Sequence, residues 1–133
     1  MLKLEIVTPE KRVLNADVDS VTVPTATGEA GILPSHAPLI SALKPGILTY
    51  SIKGSIDKLA VSGGFVEVSA DKVSVLVDTA ETAGEIDADA ARLARDNAEK
   101  ALASAGLASE DDSAAARESI DHAAARLQLA AGR

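Results

Sequence analysis

The stretch KVSVLVDTAETAGEIDADAARLA, Lys72 to Ala94, changes its hydrophobic period halfway along. Up to Asp78, Val73, Val75 and Val77 alternate with Lys72, Ser74 and Leu76, the two-residue period of a strand with one buried face. Beyond Ile86 the apolar residues recur at steps of three and four, the spacing that lines one face of a helix. Composition shifts at the same point. Upstream the apolar residues are mostly Val, Ile and Leu, whereas from Ile86 onward 17 of 48 residues are Ala and none is Pro. The boundary therefore falls at Thr82 to Glu85, giving a β-domain over residues 1–84 and a helical appendage over 85–133.

Working upstream, Leu2, Leu4 and Ile6 alternate with Lys3, Glu5 and Val7 in a first strand. Val18, Val21 and Val23 belong to further strands, the last ended by Pro24, which cannot donate a ladder bond. Gly46 to Lys53 and Asp57 to Ser62 flank Gly54 closely enough for a hairpin. Gly63-Gly64 leads into Phe65-Val66-Glu67-Val68, with a tight turn at Ala70-Asp71. No helix N-terminus follows Gly63-Gly64, so it reads as a strand start rather than a ligand cradle. Eight or more short strands with turns between them predict a sandwich or flattened barrel, with the sandwich preferred.

Downstream, Asp87 suits an N-cap and Asp89 the positive first turn. Ala90, Ala94, Ala98, Ala101 and Ala105 form a stripe flanked by Leu93 and Leu102, and Gly106 stands where a glycine ends a helix. After the acidic turn Ser109 to Ser113, Ala116, Ile120, Ala123, Leu127 and Ala130 form a second stripe. The expectation is an antiparallel hairpin of helices over about residues 88–105 and 112–131. At roughly 0.8 kcal/mol per methyl, such a seam yields on the order of 10 kcal/mol gross. The entropy of ordering the hairpin offsets most of that. The hairpin is marginal alone, and permanent docking on the β-domain is the plainer expectation.

Lys+Arg number 13 against Asp+Glu 20 in 133 residues, a net charge of −7. That balance disfavours nucleic acid, whose phosphates need clustered cations. The absence of Cys excludes a disulfide framework, a thiolate nucleophile and a zinc ribbon. The apolar runs are far too short to span a bilayer, so contact with a membrane is expected only through a partner. His36 and His122 have no triad partners nearby in sequence, and no phosphate-binding P-loop occurs. No catalytic residue and no metal site is read.

One connection is denser than filler. Gly28-Glu29-Ala30-Gly31-Ile32-Leu33-Pro34-Ser35-His36-Ala37-Pro38-Leu39-Ile40 carries two glycines, two prolines, a lone His and an isolated Glu. It reads as a shaped, partly apolar contact loop. Together with Lys44-Pro45-Gly46 and Ser62-Gly63-Gly64-Phe65-Val66-Glu67-Val68, it resembles the epsilon subunit family of the F-type ATP synthase, called delta in mitochondria. The resemblance covers essentially the whole chain.

It implies a sandwich of ten strands followed by a two-helix hairpin, in a rotor subunit of the central stalk that performs no chemistry itself. The implied partners are the gamma subunit and the polar loops of the c-ring, with the alpha and beta subunits reached through the hairpin. Glu29, Ala30, Gly31 and Ile32 match the family's c-ring-facing loop, and Ser35, His36, Ala37 and Pro38 continue that surface. His36 is expected to hydrogen-bond or pack there rather than sense pH.

The family's nucleotide motif, Ile/Leu-Asp-x-x-Arg-Ala, falls on Ile86, Asp87 and Ala91. Ala90 stands where the Arg belongs, and Arg92 lies about 200° further round the helix. Weak or absent binding of ATP is therefore expected, and no other cofactor is. Between Ser109 and Arg133, Arg117, Arg126 and Arg133 face Glu110, Asp111, Asp112, Glu118 and Asp121, so inhibition of hydrolysis by an extended hairpin should be weak. The expected location is peripheral, on the cytoplasmic face of a bacterial plasma membrane. The competing reading is a stand-alone ligand-sensing β-sandwich with a helical lid, for which the chain has few aromatic residues.

Overall fold

A computed structural model describes residues 1–105 and 110–131 of the chain. Ten strands precede a short 3-10 turn and two helices: β1 Leu2–Val7, β2 Arg12–Val18, β3 Ser20–Thr25, β4 Gly28–Ile32, β5 Leu39–Leu43, β6 Gly46–Ile52, β7 Ser55–Val61, β8 Gly64–Ser69, β9 Lys72–Val77, β10 Ala80–Glu81, α1 Ala88–Ala105 and α2 Glu110–Ala131. The strands run in the order β10-β7-β6-β3-β5-β8-β9-β1-β2, with β4 paired to β3. β1 lies parallel to β9 and antiparallel to β2. The sheet folds over on itself as a sandwich around one core. Leu2, Leu4 and Ile6 of β1, Val21 and Val23 of β3, and Val73, Val75 and Val77 of β9 point into it, all almost fully buried. The alternation in the sequence is thus an inside–outside pattern.

Both tight turns read from the sequence are two-residue hairpin turns with positive φ at each position. Lys53 (φ 50°) and Gly54 (φ 84°) join β6 to β7, and Ala70 (φ 51°) and Asp71 (φ 59°) join β8 to β9. At the start of β8, a Cβ on Gly64 would lie 2.0 Å from the Leu76 carbonyl oxygen, so only glycine fits.

Three expectations are corrected. Pro24 does not end its strand: β3 continues to Thr25, with Pro24 opposite Glu29 of β4. The ladder to β6 stops at Thr22, so no bond there needs an N–H from Pro24, while its carbonyl accepts from Lys44 N at 3.0 Å. The long connection from Gly28 to Ile40 is mostly sheet, because β4 and β5 claim its ends and leave Leu33–Pro38 as the loop. In α1 the buried face is Ala91 and Ala98 with Arg95 and Leu102 beside them, whereas Ala90, Ala94 and Ala101 are exposed. With so many alanines, several stripes at helical spacing coexist, and packing selects one.

On α2, Ala116 and Ala123 are buried and Ile120, Leu127 and Ala130 half-buried. A second buried set, Ala125 and Leu129, accompanies them because α2 packs both on α1 and on β6 and β7. Leu129 meets Ala60 and Ile86 in a small cluster separate from the sandwich core. The second helix, expected from about residue 112, begins at Glu110. Gly106, Ser109 and Arg133 lie outside the described residues.

Candidate interaction surfaces

β4 presents residues to both sides of the sheet. Glu29 and Gly31 are exposed, Ala30 is half-buried, and Ile32 is completely buried in the core. Ile32 was expected on the contact surface, but the two-residue period turns its side chain inward, where it anchors β4 instead. Glu29 stands at the edge of a cleft of about 350 Å³ shared by Pro24, Lys44, Asp121 and Gln128, between the β3–β4 hairpin and α2.

The loop from Leu33 to Pro38 is exposed along its length, including Ser35, His36, Ala37 and Pro38. Its path is held by three hydrogen bonds. His36 N donates to Leu33 O at 3.1 Å, His36 Nδ1 bonds Ala37 O at 2.6 Å, and Ser35 N donates to Asp71 Oδ1 at 2.7 Å. His36 therefore makes a local hydrogen bond within the loop.

Towards the other end of the strands that meet this loop lies a surface that sequence reasoning missed. On β5, β8 and β9 the outward positions carry Ile40 (76% exposed), Phe65 (59%) and Leu76 (53%). The register sets Ala42 opposite Phe65 and Phe65 opposite Leu76, and Leu76 beside Val7 of the parallel strand β1. The result is an apolar row across four strands, Ala42–Phe65–Leu76–Val7, with Ile40 on the same face of β5. A surface groove of about 510 Å³ between Phe65, Leu76, Val7, Pro9 and Gly64 continues it. In the next row, Ile40 is followed by Glu67, Ser74 and Glu5, and these three polar positions bound the patch. The available signal was Phe and Leu at positions the alternation assigns to the outside. A contiguous exposed apolar patch with a polar border is how an interaction face looks before its partner covers it.

The residues matching the nucleotide motif all have structural roles. Ile86 is buried against Ala60 and Leu129. Asp87 Oδ1 accepts from Ala90 N at 3.1 Å, capping α1. Ala91 is fully buried, Ala90 faces solvent, and Arg92 pairs with Asp89 on α1.

A polar cluster fastens α2 to the sheet edge. Arg126 meets Glu81 of β10 through Nη2–Oε2 at 3.2 Å and Nε–Oε1 at 2.8 Å. His122 Nε2 and Thr79 Oγ1 lie 3.2 Å apart. Burial, reinforced by the neighbouring Arg126 charge, pushes the His122 pKa down, while Glu81 and Glu118 oppose the shift. Just before α1, Glu85 Oε1 accepts from both N and Oγ1 of Thr82 at 3.0 Å. These bonds hold the Glu85 carboxyl below its usual range. Among the described residues no group of His, Cys, Asp and Glu is arranged to hold a metal.

The family model described as "ATP synthase, Delta/Epsilon chain, beta-sandwich domain" matches residues 1–83. The ATP synthase epsilon chain of Geotalea uraniireducens is 47% identical over 131 residues, covering 98% of this chain and 94% of that one. The epsilon chain of Nitratidesulfovibrio vulgaris is 48% identical over 128 residues, covering 96% and 94%. Among solved structures, a chain of the Euglena gracilis mitochondrial ATP synthase assembly of OSCP, F1 and c-ring has a TM-score of 0.79 at 24% identity, covering 98% of this chain and 81% of that one. A chain of the Tetrahymena thermophila mitochondrial ATP synthase central stalk and c-ring has a TM-score of 0.57 at 17% identity, covering 98% and 94%. These two structural likenesses concern the fold alone.

Proposed function

The chain belongs to the delta/epsilon family of ATP synthase subunits, and on that premise we propose that it is a rotor subunit of the central stalk, coupling proton translocation through the c-ring to ATP synthesis in the catalytic head. It is a non-catalytic subunit of that complex. The observation that carries the reading is the apolar row Ala42–Phe65–Leu76–Val7, which lies towards one end of β5, β8 and β9, with a loop of fixed shape at their other end. A torque-bearing part must hold its neighbours through fully desolvated anchors rather than through screened surface charges.

The apolar row is the seat for the gamma subunit, and the loop at Ser35, His36, Ala37 and Pro38 continues the c-ring-facing surface of β4. Glu29, Ala30 and Gly31, on the open edge of β4, face the polar loops of the c-ring. The hairpin supports docking and assembly and reaches the alpha and beta subunits only weakly. Arg126 is already engaged by Glu81, and Arg117 is flanked by Glu118 and Asp121 on the same helix. ATP binds weakly or not at all, since Ala90 replaces the expected Arg and Asp87 is spent on the cap.

The subunit works on a membrane-bound complex, and no described helix is long and apolar enough to cross a membrane. Its position is peripheral, on the cytoplasmic face of a bacterial plasma membrane. Family membership favours this reading over a stand-alone ligand sensor with a helical lid.

Reconstitution tests it. Membranes whose ATP synthase lacks this subunit should regain proton-driven ATP synthesis when the purified chain is added, while the chain alone turns over no ATP. Failure to restore synthesis, or to co-purify with the gamma subunit, would refute the proposal.

A further inference from the structure

The turn Leu33–His36 in the loop needs a conformation that Ser35 does not favour. Ser35 sits at φ 66°, a left-handed conformation that costs a residue bearing a Cβ and is usually left to glycine. Two of the loop's hydrogen bonds, His36 N to Leu33 O and His36 Nδ1 to Ala37 O, are internal. Among the described residues, the hydrogen bond that fastens it to the rest of the fold runs from Ser35 N to Asp71 Oδ1 at 2.7 Å, across 36 positions of sequence. A carboxylate acceptor makes this bond stronger than a neutral one.

Asp71 is itself firmly mounted. It is the second residue of the β8–β9 turn, at φ 59°, and its carbonyl accepts from Lys3 N of β1 at 2.9 Å. One residue thus joins the first strand, the turn between two core strands and the exposed loop. Like Ser35, Asp71 occupies a conformation in which glycine would be less strained. A turn serving only to reverse the chain would gain from Gly at this position, so the carboxylate has a use that outweighs the strain.

We propose that Asp71 is a positioning residue for the rotor contact, holding Ser35-His36-Ala37 in the shape that neighbouring subunits recognise. The inference rests on the functional reading above, in which this loop continues the c-ring-facing surface. Asp71 itself bonds to the backbone of the loop, so its effect on assembly is exerted through preorganisation.

Glycine and asparagine at this position separate the proposed role from simple support of the fold. Asp71→Gly keeps and relaxes the turn but removes the acceptor. Asp71→Asn keeps a carbonyl oxygen in place and should rescue most of the effect. In the full-length free protein, amide exchange at Ser35 should quicken roughly tenfold in Asp71→Gly, with the melting temperature unchanged or raised. Affinity for ATP synthase stripped of this subunit should weaken by roughly the same factor, and Asp71→Asn should lie close to wild type in both measurements. Wild-type binding matched by Asp71→Gly would overturn the proposal, as would a fall in melting temperature that accounts for the lost affinity. If the wild-type chain itself failed to bind the stripped enzyme, the functional reading would fall and the assembly role with it. Ser35 exchange would still report whether Asp71 braces the loop.

Discussion

The apolar row is the part of the account most open to direct attack, through the double substitution Phe65→Thr and Leu76→Thr. Threonine keeps the strand preference of both positions while removing most of the apolar area they display. Phe65 is 59% exposed and Leu76 53%. For a phenylalanine of roughly 200 Å² that leaves about 120 Å² of apolar surface in water, equivalent to about 3 kcal/mol if a partner covers it. Leu76, at roughly 180 Å² and 53% exposed, adds about 2 kcal/mol on the same scale, and the threonine side chains keep a share of both contributions. Part of that sum is lost to immobilising side chains and to imperfect desolvation. The expected net loss is about 2 kcal/mol, roughly a thirty-fold rise in Kd.

The free protein should hardly notice, because both side chains are more than half outside the core and surface changes usually stay within about 0.5 kcal/mol each. Titration of labelled variants onto ATP synthase stripped of this subunit measures the Kd, and thermal unfolding checks the fold. Ile56→Thr on β7, equally exposed at 64% and outside the row, serves as the control and should bind like wild type. Equal affinities for all three proteins would refute the assignment of this face to the gamma subunit.

Removing residues 86–133 should leave ATP hydrolysis by the assembled enzyme nearly unchanged, and a several-fold rise on assay would contradict the weak regulatory role assigned to the hairpin. The truncated chain should still fold, since the sandwich core contains no helix residue. The lowered pKa of His122 makes the docked α2 prefer the neutral imidazole. Docking is therefore at full strength above the ordinary histidine value of 6.5 and weakens as pH falls below it. Amide exchange in α2 should accelerate in mild acid, with His122→Gln removing the dependence between pH 7 and 5; an acid response unchanged in that variant would clear His122 of the role. Gly64→Ala would drive a Cβ to within 2.0 Å of the Leu76 carbonyl oxygen. It should cost about 2–4 kcal/mol of stability in denaturant titrations, and a loss under 1 kcal/mol would show that β8 and β9 can separate cheaply.

The change of period at Thr82–Glu85 made the two-part architecture legible, because a strand's inside–outside alternation and a helix's apolar stripe are properties of neighbouring residues. The strand role of Gly28–Ile32 was hidden, since glycine and a single buried Ile32 carry little strand signal. Only pairing with β3 makes that segment a strand. The alanine stripes misled for a related reason: Ala90, Ala94 and Ala101 have the spacing of a buried face, but small residues are tolerated equally well outside. At the candidate site, the proline–glycine density drew attention to the loop, whereas the bond from Asp71 to Ser35 depends on tertiary contact between distant segments. Leu76 fell on the outward side of its strand's alternation, while Phe65 was assigned no face. Their alignment with Ala42 and Val7 required the strand order, including the parallel pairing of β1 with β9.

The central claim is that the edge of β4 and the apolar row grip different rotor neighbours. The chain has no cysteine of its own, so single cysteines introduced at Glu29 and at Phe65 are unique handles for short cross-linkers in membranes carrying the assembled enzyme. The account predicts an adduct with the c subunit from Glu29→Cys and with the gamma subunit from Phe65→Cys. Full incorporation of both variants with neither adduct formed would contradict it.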